Sequence, residues 1–153
     1  MLKILFVCHG NICRSPMAEF IMRDICEKRG LSDVYVESAA TSTEELGNHV
    51  HYGTRSILSR LGIDCSKKRA RQITRGDYAD FDLLIGMDSA NIHNMERFWG
   101  DPQHKIRLLL EFAEQPSSRG ISDPWYTGDF ESTYRDVKAG CDGLAERIKR
   151  GEL

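Results

Sequence analysis

The chain has 153 residues, 41% of them hydrophobic and 29% charged, with a formal net charge of −2. That length suits one domain able to bury its own core without staples, and the slight acidity argues against a general binder of nucleic acid or anionic membrane. Five cysteines, in a chain with no charged, apolar leader and no run approaching a membrane span, read as reduced thiols of a cytoplasmic protein.

In chain order, the first element is the apolar run Ile4-Leu5-Phe6-Val7, a buried strand by its pattern. It ends in Cys8-His9-Gly10-Asn11-Ile12-Cys13-Arg14-Ser15-Pro16. Ser15 before Pro16 predicts a helix N-cap with proline at the first helical position. Met17, Phe20, Ile21 and Ile25 then follow at helical spacing. Val34 to Ser38 reads as a second strand, and the polar stretch from Thr41 to Asn48 as a loop. Tyr52 to Leu61 is predicted helical and closed by Gly62. Asp82 to Met87 is a third strand, with Asp88 placed to begin a helix, and Ile106 to Leu110 a fourth. Glu114 to Gly128, rich in Pro and Gly, reads as a long loop. Phe130, Tyr134, Val137, Cys141, Leu144 and Ile148 then form one apolar stripe of a final helix.

This alternation predicts a single α/β domain over residues 1–153. The expected sheet is four-stranded and parallel, with helices on both faces and a phosphate-binding loop after the first strand. Ligands of such sheets bind at the carboxyl ends of the strands. The loops after Ser38, after Met87 and after the fourth strand are therefore expected to converge on Cys8.

The residues of that edge support one kind of chemistry. Only a thiolate attacks, and inward-facing amides, a helix dipole, Arg14 and the Ser15 hydroxyl would all favour the anion at Cys8. The same groups bind a phosphate dianion, with Arg14 offering a planar fork to two oxygens. Gly10 permits close backbone approach, and Asn11 tolerates a left-handed conformation while pinning the loop by side-chain hydrogen bonds. Asp123, in Asp123-Pro124-Trp125-Tyr126, is the candidate general acid and then general base. Other features read as ordinary. His49 and His51 are expected at the surface with no metal site to complete, and Lys67-Lys68-Arg69 with Arg71 as a solvated basic face. Cys26 and Cys141 read as core, and Cys65 is given no role.

The Cys8–Arg14 loop and the Asp123-Pro124-aromatic element, with Val36 to Ser42, Ala70 to Thr74 and Phe81 to Asp88, resemble the low-molecular-weight protein tyrosine phosphatases over essentially the whole chain. The resemblance implies catalytic roles for Cys8, Arg14 and Asp123 in a phosphocysteine mechanism without metal or cofactor. It makes Cys8, His9, Gly10, Asn11, Ile12, Cys13, Arg14 and Ser15 the phosphate-binding loop, supported by Asn11, Ser15, Ser38 and Asp88. It makes Cys13 the redox partner of Cys8, and Glu44, Trp125 and Tyr126 the substrate rim. His9 is unusual for its position and is read as a solvent-facing loop residue. The implied partners are tyrosine-phosphorylated proteins or peptides, with phosphate and other oxyanions as inhibitors and a monomer expected. A phosphoarginine phosphatase is the nearer alternative, disfavoured by Ile12, where that branch carries threonine, and by the aromatics after Asp123. A thioredoxin-coupled arsenate reductase needs cysteines that are missing between Ser66 and Gly140. A non-catalytic phosphotyrosine-binding or redox-sensing module keeps the loop but needs no Asp123.

Overall fold

The computed structural model describes residues Met1–Leu153, and its sheet is four-stranded and wholly parallel. β1 (Leu2–Cys8) lies between β2 (Val34–Ala40) and β3 (Leu83–Gly86), and β4 (Ile106–Leu108) pairs with β3 at the edge. Because β1 is covered on both sides, its side chains divide by alternation. Ile4, Phe6 and Cys8 enter one apolar cluster, and Leu5 and Val7 the other. The first cluster takes in the buried faces of α1 (Arg14–Lys28) and α6 (Phe130–Arg150), and α2 (Tyr52–Arg60) adds Ile57 and Leu58. The second cluster takes in Phe81, after the short α3 (Asp77–Asp80), and Met95 of α4 (Ser89–Trp99). The expected fold, with helices on both faces, is the fold observed.

Several boundaries differ from the sequence reading, each for a local reason. Ser15 is not the N-cap of α1: the helix starts at Arg14, Cys13 holds the cap position, and no side chain caps it. The Ser15 hydroxyl is turned instead toward Cys8. The fourth strand stops at Leu108, because Glu111 accepts the Leu108 N–H and draws Leu109–Phe112 into a 3₁₀ turn. The stretch from Glu114 to Gly128 is not all loop. Asp123 caps α5 (Pro124–Thr127), with Pro124 at the first helical position and Gly128 left-handed at its end. Gly62 follows the C-cap of α2 with φ +77°, as a terminating glycine should.

Two packing contacts fix where the site lies. The strand order turns back at β1, so the loops after β1 and β3 diverge and open a crevice at their carboxyl ends. On the far side α6 presses on the 3₁₀ turn so closely that a Cβ at Gly143 would overlap the Phe112 carbonyl oxygen. That contact holds the helix that follows the Asp123 segment. No helix is long and apolar enough to cross a membrane.

Candidate active site

The loop from Cys8 to Arg14 turns through Asn11, whose φ of +58° puts a non-glycine residue in the left-handed region. The strain is offset by Asn11's own side chain. Its Oδ1 accepts the Arg71 N–H at 3.1 Å, which fixes the orientation of the amide. Its Nδ2 donates to Ser15 Oγ at 2.8 Å and to Ser38 Oγ at 2.9 Å. The Ser38 hydroxyl in turn donates to Glu19 Oε1 at 2.5 Å. Ser15 Oγ, which accepts from Asn11, also lies 3.0 Å from Cys8 Sγ, and its proton is the one available to that sulfur when Cys8 is a thiolate with none of its own. The Asn11 N–H lies on the same sulfur at 3.3 Å. A connected set of hydrogen bonds thus runs from Glu19 through Ser38, Asn11 and Ser15 to the sulfur of Cys8.

The backbone N–H groups of Ile12, Cys13, Arg14 and Ser15 find no acceptor within the protein and open at the start of α1. A concavity of this kind suits a tetrahedral anion. The loop is braced from outside by Thr41 N–H to Cys8 O (3.0 Å), Ser42 N–H to His9 O (3.1 Å) and the Thr54 hydroxyl to Cys13 O (3.0 Å).

Arg14 is the anchored cation of the site. It is 2% exposed; Nη1 donates to Asp88 Oδ2 at 2.6 Å and to Ile121 O at 2.8 Å, and Nη2 reaches Asp123 Oδ2 at 3.4 Å. Burial alone would lower the guanidinium pKa, but nearby Cys8 and the Asp88 hydrogen bond outweigh it, and the net shift is upward. The arginine is therefore a permanent charge held in a fixed pose. Burial, with Cys8 and Asp123 close by, pushes the Cys13 thiol up to about 12, so Cys13 is a neutral thiol.

The three segments expected to converge do so. Ser38 meets Asn11, Asp88 meets Arg14, and the Ile121–Asp123 segment closes over Arg14. The cleft is lined by Cys8, Ile12, Arg14, Asp123, Trp125 and Tyr126, with His9, Gly10, Cys13, Glu44 and Glu45 completing it. Trp125 and Tyr126 stand at the rim, 56% and 83% exposed. His9 faces solvent as expected, and there its Nε2 pairs with the exposed Glu44 at 2.5 Å and ties the loop to the rim. Gathered in this way, one thiol, one fixed guanidinium and one carboxylate surround a nest of amides. That arrangement can accept a phosphoryl group on sulfur and pass a proton to or from the departing or entering oxygen.

Two groups of residues expected to be inert belong to the support. Lys68 and Arg71 are not part of a solvated basic face. Lys68 Nζ donates to Ser38 O at 2.8 Å and pairs with Glu19 at 3.2 Å, while Arg71 pairs with Asp77 and Glu37. His51 is not an ordinary surface residue but caps α2 and stacks among aromatic rings. Glu19, 2% exposed, was missed because an acid within an apolar helix reads as a solvent position. Its spacing of four from Ser15 was the available signal, since it puts both on one helix face. Glu45, also missed, lies against Gly10. No group of His, Cys, Asp and Glu is arranged to hold a metal ion.

Comparison with known proteins agrees with this geometry. The sequence model of the low molecular weight phosphotyrosine protein phosphatases matches residues 3–152. The chain is 41% identical over 153 residues to the low molecular weight protein-tyrosine-phosphatase YfkJ of Bacillus subtilis, covering 98% of this chain and 97% of that one. The crystal structure of YfkJ superposes with a TM-score of 0.94 at 40% identity, covering 100% and 98% of the two chains. SP-PTP, a low molecular weight protein tyrosine phosphatase from Streptococcus pyogenes, is 44% identical with a TM-score of 0.84, over 97% and 93%.

Proposed function

The chain belongs to the low molecular weight protein tyrosine phosphatase family, and from that premise we propose that it hydrolyses phosphotyrosine through a phosphocysteine on Cys8. The observation that carries the reading is the sulfur of Cys8 at the base of the amide nest, with Ser15 Oγ at 3.0 Å and the Asn11 N–H at 3.3 Å. In the first step Cys8 Sγ attacks phosphorus in line. The S–P bond forms, the P–O bond to the phenol breaks, and Asp123 gives its proton to the departing oxygen. In the second step water attacks phosphorus, Asp123 takes its proton, the S–P bond breaks and inorganic phosphate leaves. Charge on the transferring group is held by Arg14 and the loop amides, so the scheme calls on no metal or cofactor.

Trp125 and Tyr126 flank the mouth as walls for an aryl ring, and Ile12 keeps the floor apolar. Glu44 and Glu45 bring negative charge to the rim, which disfavours acidic peptides. Inorganic phosphate and other oxyanions fit the same nest as competitive inhibitors. Cys13, which lines the cleft with Cys8, is the resolving thiol when Cys8 is oxidised. A cytoplasmic monomer is the setting this chemistry assumes.

Steady-state comparison of phosphotyrosine, phosphoserine and phosphoarginine peptides tests the substrate. Preference for phosphoarginine would move the chain to the alternative branch, and phosphopeptide binding without turnover would make it a binding module. The role of Asp123 is tested by Asp123→Ala, which should hurt aryl phosphates with poor leaving groups most; an equal loss on all of them removes the proton-donor role.

A further inference from the structure

His51 lies outside the phosphate loop, and neither step of the reaction uses it. It is nonetheless tied to both halves of the site. Its backbone N–H donates to the Ile12 carbonyl oxygen at 2.9 Å, gripping the phosphate loop from outside. Its Nδ1 accepts the Gly53 N–H at 3.1 Å, which places the proton of the neutral ring on Nε2. The ring is stacked 5.1 Å from Phe130 at 14° and 4.7 Å from Tyr52 at 28°. It meets Trp125 edge-on at 5.7 Å and 78°.

Phe130 is itself held in place. It packs against Ile12, Cys13 and Ala70, and a Cβ at Gly53 would come within 2.5 Å of its ring. His51 is thus seated on a surface continuous with the phosphate loop. Trp125, by contrast, is 56% exposed and belongs to a helix of one turn whose only buried residue is Pro124, so the His51 ring is a main support of its side chain. The Trp125 N–H donates to Asp123 Oδ1 at 3.0 Å while Arg14 Nη2 lies 3.4 Å from Oδ2, so the rest position of Trp125 sets one of the two contacts that aim the carboxyl group.

We propose that His51 is the positioning residue for Asp123: its ring seats Trp125, and its backbone N–H keeps that seat in register with the phosphate loop. The proposal rests on the reading of Asp123 as proton donor. A displacement of the acid by a fraction of an ångström costs rate only where the proton is needed. The signature is therefore a leaving-group dependence and not a general loss.

The test uses the full chain carrying His51→Asn, His51→Phe, Trp125→Ala or Asp123→Ala. The readout is kcat/KM on phenyl phosphate and on 4-nitrophenyl phosphate, which reports the first chemical step. Inhibition by inorganic phosphate reads the nest separately. His51→Asn keeps an acceptor for the Gly53 N–H but lacks the ring. It should lose about tenfold on phenyl phosphate and no more than about threefold on 4-nitrophenyl phosphate, with phosphate inhibition within about twofold of wild type. His51→Phe restores a ring and should recover most of the phenyl phosphate rate. Trp125→Ala should show the same ratio between the two substrates as His51→Asn, on top of a loss common to both from the missing aryl wall, and adding His51→Asn to it should change that ratio little, because both remove one contact. The proposal is overturned if His51→Asn equals wild type on phenyl phosphate, if it loses equally on both substrates, or if His51→Phe is as poor as His51→Asn. If Asp123→Ala itself shows no leaving-group dependence, the acid reading and this proposal fall together, and that variant shows it independently of His51.

Discussion

Asp88 holds Arg14 with one carboxylate oxygen and the start of α4 with the other: Oδ2 accepts from Arg14 Nη1 at 2.6 Å, and Oδ1 from the Asn91 N–H at 2.8 Å. One side chain therefore fixes the guanidinium of the cleft and caps a helix on the opposite side of the crevice. The two roles can be separated. Asp88→Asn keeps a good cap, so its stability should stay near wild type while phosphate inhibition weakens. Asp88→Ala should also lower stability by about 1 kcal/mol, the usual cost of a lost cap, read by urea unfolding. Equal phosphate affinity in all three proteins would show that Arg14 needs no aim from Asp88.

Cys8→Ser should abolish turnover and leave phosphate binding intact. The amides and Arg14 that hold the anion lie on other residues, and only the nucleophile is removed. Calorimetric titration with inorganic phosphate checks the second half of the statement. Loss of phosphate binding would mean that the sulfur shapes the nest itself.

Glu19 should be among the costliest polar positions outside the cleft. It is 2% exposed, with Arg23 Nη2 at 2.6 Å, Lys68 Nζ at 3.2 Å and the Ser38 hydroxyl at 2.5 Å. Glu19→Ala leaves the half-buried Lys68 with the Ser38 carbonyl but no anion and should lower stability by about 2 kcal/mol. It also frees the Ser38 proton and so loosens the hydrogen-bond chain that ends on Cys8. Turnover should fall with stability; a variant fully active at temperatures well below its midpoint would uncouple Glu19 from the chain.

Alkaline pH should destabilise the fold through its buried thiols. Burial raises Cys13 from the ordinary 9.0 to about 12, and raises Cys141 as well. The folded state thus favours the neutral thiol. This stability is present in full below about pH 9 and is lost as pH rises toward the folded value, because only the unfolded chain then releases the proton. Cys13→Ser should lose less stability than wild type between pH 8 and pH 10.5 in paired urea titrations, pH values chosen to straddle the ordinary thiol pKa of roughly 8.5.

Peroxide should inactivate the enzyme reversibly. Oxidation of Cys8 to the sulfenic acid, followed by attack of Cys13 sulfur with loss of water, forms the disulfide. Recovery on adding dithiothreitol should be nearly complete for wild type and poor for Cys13→Ser. Equal recovery of the two proteins ends the resolving role.

Cys8, Arg14 and Asp123, which the fold brings to one cleft, could be singled out in the sequence because they stand in a recognisable spacing. A cysteine, five residues and an arginine between strand and helix can be read without coordinates, and so can an aspartate before proline and two aromatics. The left-handed Asn11 and the buried stripes of α1 and α6 were also within reach, since residue type and period carry them. Ser15 was misplaced because serine before proline is a capping signal, and a contact with Cys8 overrode that local preference.

Residues whose role depends on who faces them were not legible. Lys68 sits in a basic run that looks solvated, yet the chain folds it over β2 onto Glu19 and the Ser38 carbonyl. His51 is a polar-loop residue until Phe130 and Trp125, some eighty residues away, are brought beside it. Sequence by itself determined the candidate reaction groups and the order of strands and helices, because the cysteine–arginine spacing and the hydrophobic period are written in neighbouring residues. Only the tertiary structure decided the course of the hydrogen-bond network to Cys8, the anchoring of Arg14 and the seat of Trp125. Those are contacts between segments distant along the chain, and no local propensity records them.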